Sequence, residues 1–215
     1  YLNTERAIHA VLPNAKVGTH FLWASSKNSF GTDFVKWCER NKVRYDFVGV
    51  SYYPFYNKQN RVDFDHVYKV DFAPIKDIPE WNESATLEIH EFALITKMSA
   101  QGDSFDNAPN AHQESFTVLM AKMMYEHDMV DVYRWGDGAN KLAEQCFLNM
   151  EKNRYYKSVK KGEATAAGNS VDAVFAHDEQ RDQYNIMVAN YNADPQSKKA
   201  ESVRIKTTLP VSPGS

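Results

Sequence analysis

A chain of 215 residues, 43% hydrophobic and 25% charged, has the balance of a globular protein with room for one sizeable core. A formal charge of −3 and the lack of any Lys/Arg-rich stripe exclude the electrostatic footprint of a nucleic-acid binder. No apolar run reaches the length of a membrane-spanning helix, so no membrane partner is expected.

The chain opens on Tyr1, without the charged and apolar regions of a signal peptide, and ends on "TTLPVSPGS" soon after a strand-like run. Both ends suit a segment of a longer protein. A helical pattern over Asn3–Leu12 comes first and is broken by Pro13. "NAKVGTHFLW" follows as a strand ending near Trp23. "TDFVKWCERN" reads as a helix capped by Thr32 or Asp33, with Phe34, Val35, Trp37 and Cys38 on its apolar side. "YDFVGVSYYPF" is the next strand, ended by Pro54. "DFDHVYKVDFAPI" suggests one short helix and an excursion. Then come the strand "ATLEIHEFALI", the amphipathic helix "AHQESFTVLMAKMMYEH" and the strand "MVDVYRW". The two cysteines, Cys38 and Cys146, lie far apart without metal or redox spacing and read as small buried hydrophobes.

Strands alternating with helices predict an α/β fold with a parallel sheet, either doubly wound or an eightfold barrel. No glycine-rich phosphate loop follows any strand, which counts against a nucleotide or phosphate enzyme. From about Lys157 the pattern changes. "VDAVFAHDEQRDQYNIMVANYN" and "AESVRIKTTLPV" alternate at period two, with turns at "DEQRDQ" and "NADPQSKK". These predict an antiparallel module, joined through "KKGEATAAGNS", too short for a complete sandwich.

Chemistry-bearing residues gather at the C-terminal ends of the predicted strands: Trp23, Tyr52, Tyr53, Glu91, Arg134 and Trp135. In an eightfold barrel that is the face on which active sites are built. Simple alternation puts Leu87, Ile89 and Glu91 on one side of their strand, with Glu88 and His90 on the other. With the first set inward, two apolar layers lie beneath a carboxylate at the barrel mouth. Position alone leaves two readings of Glu91 open, a catalytic carboxylate or a structural ion pair with Arg134. His90 and Glu88 read as structural groups facing the helices. Asn82–Glu83 precedes its strand and reads as a loop or cap. The aromatic side chains suit either a core or a platform for sugar rings. No residues stand at metal-ligand spacing, so no metal is expected.

Taken in order, "TERAIHAVLPNAKVG", "FVKWCERNKVRYDFVGVSYYPF", "LEIHEFALI", "DVYRW" and "NIMVANYN" resemble the later half of clan A glycoside hydrolases. The nearest patterns are those of family 39, with its appended β-sandwich, and of agarase- and porphyranase-type enzymes. The resemblance runs from about Asn3 to Leu209. It implies that residues 1–156 form strands five to eight of a (β/α)₈ TIM barrel, and residues 157–215 part of an accessory β-sandwich. By the same resemblance Glu91 is the nucleophile of a retaining glycosidase cleaving β-linked poly- or oligosaccharide, and Tyr53 the tyrosine that hydrogen-bonds it. Trp135 is the tryptophan beneath the reacting sugar. Where the family often has His-x-Tyr, this chain has Ser51-Tyr52-Tyr53. Trp23, Ser51, Tyr52 and Arg134 complete the expected sugar-binding set. The acid/base carboxyl of such an enzyme ends the fourth strand, so the implied partners are the carbohydrate and an N-terminal half-barrel. A polymer substrate suits an exported enzyme. A non-catalytic carbohydrate-binding or assembly module, with the aromatic platform but no acid/base, is the competing expectation.

Overall fold

The alternation of helix and strand folds as a parallel sheet in the computed structural model, which describes residues 1–22, 29–54, 64–98, 105–107, 110–129, 131–134, 154–156 and 169–192. Its strands β1 (Gly18–Phe21), β2 (Phe47–Tyr52), β3 (Thr86–Phe92) and β6 (Val132–Arg134) lie side by side in chain order, every neighbouring pair parallel. Between them run α1 (Leu2–Val11) before β1, α2 (Phe30–Asn41) after it, and a helical stretch after β2. That stretch is α3 (Phe64–Val67), a π-helical turn (Tyr68–Phe72) and α4 (Ala73–Lys76). The helix α5 (Asn110–Glu126) leads into β6. A small antiparallel pair, β4 (Ile95–Met98) with β5 (Phe105–Asn107), follows β3.

Local chemistry sets where the elements start and stop. α2 begins earlier than its sequence signal: Ser29 is the N-cap and its hydroxyl donates to Asp33 Oδ2 (2.6 Å). Thr32, expected as a cap, sits within the helix and donates to Pro74 O of α4 instead (2.8 Å). Val35 and Cys38 are fully buried, whereas Trp37, expected beside them, is exposed. Burial raises the Cys38 thiol to about 11, so it stays an inert thiol. The excursion after β2 is more helical than expected. Asn82 makes a turn before β3, its Oδ1 accepting from Ser84 N–H (3.0 Å), while Glu83 faces solvent.

The core lies on one face of the sheet. Val48, Val50 and Tyr52 of β2, with Leu87, Ile89 and Phe92 of β3, pack against Val35 and Cys38 of α2, Phe72 and Ile75, and Phe116 and Met120 of α5. The opposite face carries Gly18 and His20 of β1, Phe47, Gly49 and Ser51 of β2, and polar residues of β3. That face holds the candidate site.

The antiparallel sheet β7 (Arg154–Tyr156), β8 (Asn169–Asp178) and β9 (Gln183–Asn192) is built around a β8–β9 hairpin. Its turn is fixed by Asp178 Oδ1, which accepts from Gln180 and Arg181 N–H (3.0 and 3.1 Å). Period-two alternation buries Met187, Ala189 and Tyr191, and Tyr191 meets Phe116 of α5 edge to face (5.4 Å). Lys122 of α5 is buried and donates to Asp172 of β8 (2.5 Å), with Glu126 at 3.8 Å. A buried ammonium is tolerated only when paired in this way, so the helix and the sheet are fixed to each other by apolar contact and charge together. β7 already belongs to this sheet, ahead of the expected boundary at residue 157. Cys146, residues 160–168 of the linker "KKGEATAAGNS" and the strand expected over "AESVRIKTTLPV" lie outside the described residues, and the linker's last two residues, Asn169 and Ser170, already belong to β8.

His9 ties α1 to the loop before β1. Its Nδ1 meets Glu5 Oε1 (2.6 Å) and its Nε2 meets Ala15 O (2.9 Å). Both partners only accept, so the doubly protonated ring satisfies both at once. The Ala15 carbonyl first, and then Glu5, raise the His9 pKa above the ordinary 6.5. Stability from this contact is therefore complete below the unfolded value and lost as pH rises through the folded one. The melting-temperature deficit of His9→Ala should be larger at about pH 6 than at about pH 9. An equal deficit at both would mean that His9 holds its partners without its charge.

Candidate active site

Alternation alone would place Glu91 with Leu87 and Ile89. The structure places it on the opposite face, and the cause is a β-bulge. Against β2, Val50 pairs with Ile89 but Ser51 pairs with Glu91; against β6, Ile89 pairs with Val132 and Phe92 with Arg134. β3 therefore carries one more residue than either neighbour between Ile89 and Phe92. An inserted residue re-aims the side chains that follow it. Leu87, Ile89 and Phe92 all face the helices and are buried, while Glu88, His90 and Glu91 lie on the open face. The expected pair of apolar layers beneath Glu91 is thus corrected, and so is the expectation that His90 and Glu88 face the helices.

Each neighbour of the bulge has a physical reason. His90 needs room, and Gly49 supplies it: a Cβ there would lie 2.3 Å from His90 Nδ1. His90 Nε2 meets Glu88 Oε2 (2.8 Å), and Thr86 Oγ1 donates to Glu88 Oε1 (2.6 Å). The His90 ring stacks on His20 of β1 (5.7 Å) and meets Tyr133 of β6 edge on (5.9 Å). One layer above, Glu91 Oε2 accepts two hydrogen bonds, from Ser51 Oγ (2.9 Å) and from the Tyr53 hydroxyl (3.1 Å). Ser51 Oγ is itself 2.8 Å from His20 Nε2. Among the described residues no hydrogen bond reaches Glu91 Oε1.

The electrostatics keep these donors in place. Burial first, then the charge and the hydrogen bond of Glu91, raise the Tyr53 phenol well above its ordinary value. It therefore keeps its proton across the neutral range. Desolvation lowers the His20 pKa, His90 adds to that, and Glu91 pulls the other way. At neutral pH His20 is a neutral ring, although the residue is exposed. The result is a carboxylate held by two neutral donors on one oxygen, the arrangement a nucleophilic carboxylate needs. No group of three His, Cys, Asp or Glu among the described residues could hold a metal ion.

Of the residues expected at the site, the structure brings Glu91, Tyr53 and Ser51 together. Tyr52 is placed elsewhere. Alternation turns it to the helix side, where it packs on Phe72 (5.2 Å) and Phe92 (6.5 Å) and is held by Asp71, so it is a core residue and not a sugar platform. Arg134 is paired through its backbone with Phe92, and its side chain lies outside the described residues, as do Trp23 and Trp135. His20 was missed by sequence reasoning. Its signal was the alternation of Gly18 and His20 on one side of β1, against Phe21, which meets Phe34 of α2.

The Tyr53 contact has a spectroscopic consequence. In Glu91→Gln the charge that helps hold the Tyr53 proton is gone, so the assigned Tyr53 ring carbon resonance should titrate at lower pH than in the wild type. Burial should still keep it above the ordinary 10. Unchanged titration in the variant would contradict the contact.

A model of glycosyl hydrolase family 53 matches residues 2–70, which stops short of β3 and Glu91. An Alpha-1,4-L-rhamnosidase of Formosa agariphila is 51% identical over 215 residues, covering 100% of this chain and 44% of that protein. The chain thus spans less than half the length of this relative. Two solved structures are similar in fold. A glucosidase from Croceicoccus marinus has a TM-score of 0.62 at 14% identity, over 89% of this chain and 43% of that one. A family 51 alpha-L-arabinofuranosidase from Bifidobacterium longum has a TM-score of 0.60 at 12% identity, over 91% and 49%. At such identities the likeness concerns the fold alone: a mixed α/β architecture with a parallel sheet, as in TIM-barrel glycosidases.

Proposed function

We propose that this chain is the later part of a clan A glycoside hydrolase barrel, and that its parent cleaves an α-L-glycoside of the rhamnoside type with retention. The observation that carries the reading is Glu91. It stands at the C-terminal end of a parallel strand, with Oε2 held by Ser51 and Tyr53. The 51% identity to a rhamnosidase supports the choice of sugar. The α position of an L-sugar has the same absolute handedness at the anomeric carbon as the β position of a D-sugar. A constellation suited to β-D-linkages therefore also suits α-L-linkages, and the β-linked substrate expected from sequence gives way to an α-L-linked one. The finer likeness to family 39 belongs to this proposal too.

The chemistry proceeds by double displacement. Glu91 Oε1 attacks the anomeric carbon as the bond to the leaving oxygen breaks, and a second carboxyl protonates that oxygen. Retaining enzymes place the two carboxyl groups about 5–5.5 Å apart. We assign the second to the portion of the parent outside this chain. In the glycosyl ester that results, Oε2 becomes the carbonyl oxygen and continues to accept from Ser51 and Tyr53. Water, deprotonated by the second carboxylate, then attacks the same carbon and releases Glu91. Neither metal nor cofactor takes part in these steps.

The test is Glu91→Gln in the complete enzyme, assayed on an aryl α-L-rhamnopyranoside. The change keeps volume and hydrogen-bonding capacity while removing the charge. Turnover should fall by several orders of magnitude with the melting temperature nearly unchanged. In Glu91→Gly, azide should restore turnover by occupying the vacated side. A well-folded Glu91→Gln that keeps most of its rate would exclude Glu91 as the nucleophile.

A further inference from the structure

The Ser51–His20 contact joins β1 to the carboxylate through β2, and its proton directions are constrained. Glu91 Oε2 can only accept, so the Ser51 proton that points to it is not available to His20. Ser51 Oγ must then accept from His20, which requires the proton on Nε2. Were the His20 proton on Nδ1, Nε2 would be an acceptor and would draw the Ser51 proton away, leaving an oxygen lone pair facing the carboxylate. We propose that His20 is a positioning residue for Glu91: its Nε2–H fixes the Ser51 hydroxyl so that Ser51 and Tyr53 both donate to Oε2 and Oε1 is left for attack. The inference rests on the reading of Glu91 as nucleophile.

Two observations support this role over a bland surface contact. Ser51 is fully buried, so its hydroxyl must find its partners within the protein. Burial and the direction of its proton also exclude Ser51 as a nucleophile activated by His20. The His20 ring is set by its stack on His90, which Glu88 and Thr86 anchor from below. The imidazole is supplied from the neighbouring strand, and the serine relays its hydrogen bond. Among the described residues, the titratable groups facing His20 are Glu91 and His90 of β3, with Glu88 and Tyr133 behind His90 and Tyr53 across Glu91.

The test compares His20→Phe, which keeps a ring but loses the donor, with His20→Gln, whose amide can donate from nearly the same place. Both are made in the complete enzyme and assayed on an aryl α-L-rhamnopyranoside. His20→Phe should lower kcat about tenfold with KM little changed, the size of effect expected for one lost hydrogen bond. His20→Gln should recover most of the rate, and wild-type His20 should show its proton on Nε2 by nitrogen NMR. Wild-type kinetics in a folded His20→Phe, or a proton on Nδ1, would overturn the proposal. If Glu91→Gln is inactive while His20→Phe is fully active, the positioning role alone fails. If Glu91→Gln is active, the nucleophile assignment fails and takes this role with it.

Discussion

One residue too many in β3 is the constraint on which the candidate site depends. The sheet must bury Leu87, Ile89 and Phe92 against the helices, because together they form the centre of the apolar core. Strict alternation from Leu87 would carry that face through Glu91 and bury a carboxylate among Phe116, Phe72 and Met120, at a cost of several kcal/mol for an unpaired charge. The bulge between Ile89 and Phe92 removes the conflict. It returns Phe92 to the core and sends Glu91 to the face where Ser51 and Tyr53 wait. Core packing and site geometry are thus two consequences of a single register shift.

The open face below Glu91 is polar in a way that supports the site from beneath. Thr86, Glu88 and His90 form a bonded ladder along β3, and Gly49 leaves the space His90 requires. Stacking then carries this order across to His20 of β1, and His20 meets Ser51 of β2. Three strands therefore hold one carboxylate. A site built on strands is held more precisely than one built on loops. On the other side of the molecule, the Lys122–Asp172 pair and Tyr191 fix the antiparallel sheet to α5, so the helix that covers Phe92 is braced from outside.

Much of this was legible from sequence, for identifiable reasons. The alternation of apolar strands with helices announced a parallel sheet, and the position of Glu91 at a strand end marked it for chemistry. Tyr53 stood out at the end of the neighbouring strand, but its hydrogen bond to Glu91, like any role for Ser51, was implied only by the resemblance to clan A glycoside hydrolases. The faces could not be assigned. Period-two reasoning assumes unbroken pleating, and a bulge is settled by the register of two partner strands, which local sequence does not carry. That error moved His90 and Glu88 to the wrong side and made Leu87 and Ile89 a barrel lining. Tyr52 failed for a related reason: a tyrosine at a strand end reads equally well as platform or core, and only its contacts with Phe72 and Phe92 decide. His20 could be placed on a face by the alternation of β1, but its role could not be read, because it depends on Ser51, thirty-one positions away.

The central claim is that the bulge presents Glu91 to the anomeric carbon as a nucleophile. Its most direct test is to treat the complete enzyme with a 2-deoxy-2-fluoro glycoside bearing a good leaving group, which slows release of the glycosyl-enzyme. The inactivated protein is then digested and the sugar located by mass spectrometry. The account predicts a single adduct on the peptide containing "LEIHEF", with the added mass on Glu91. An adduct on Glu88, on Glu83 or on a carboxylate outside β3 would contradict it.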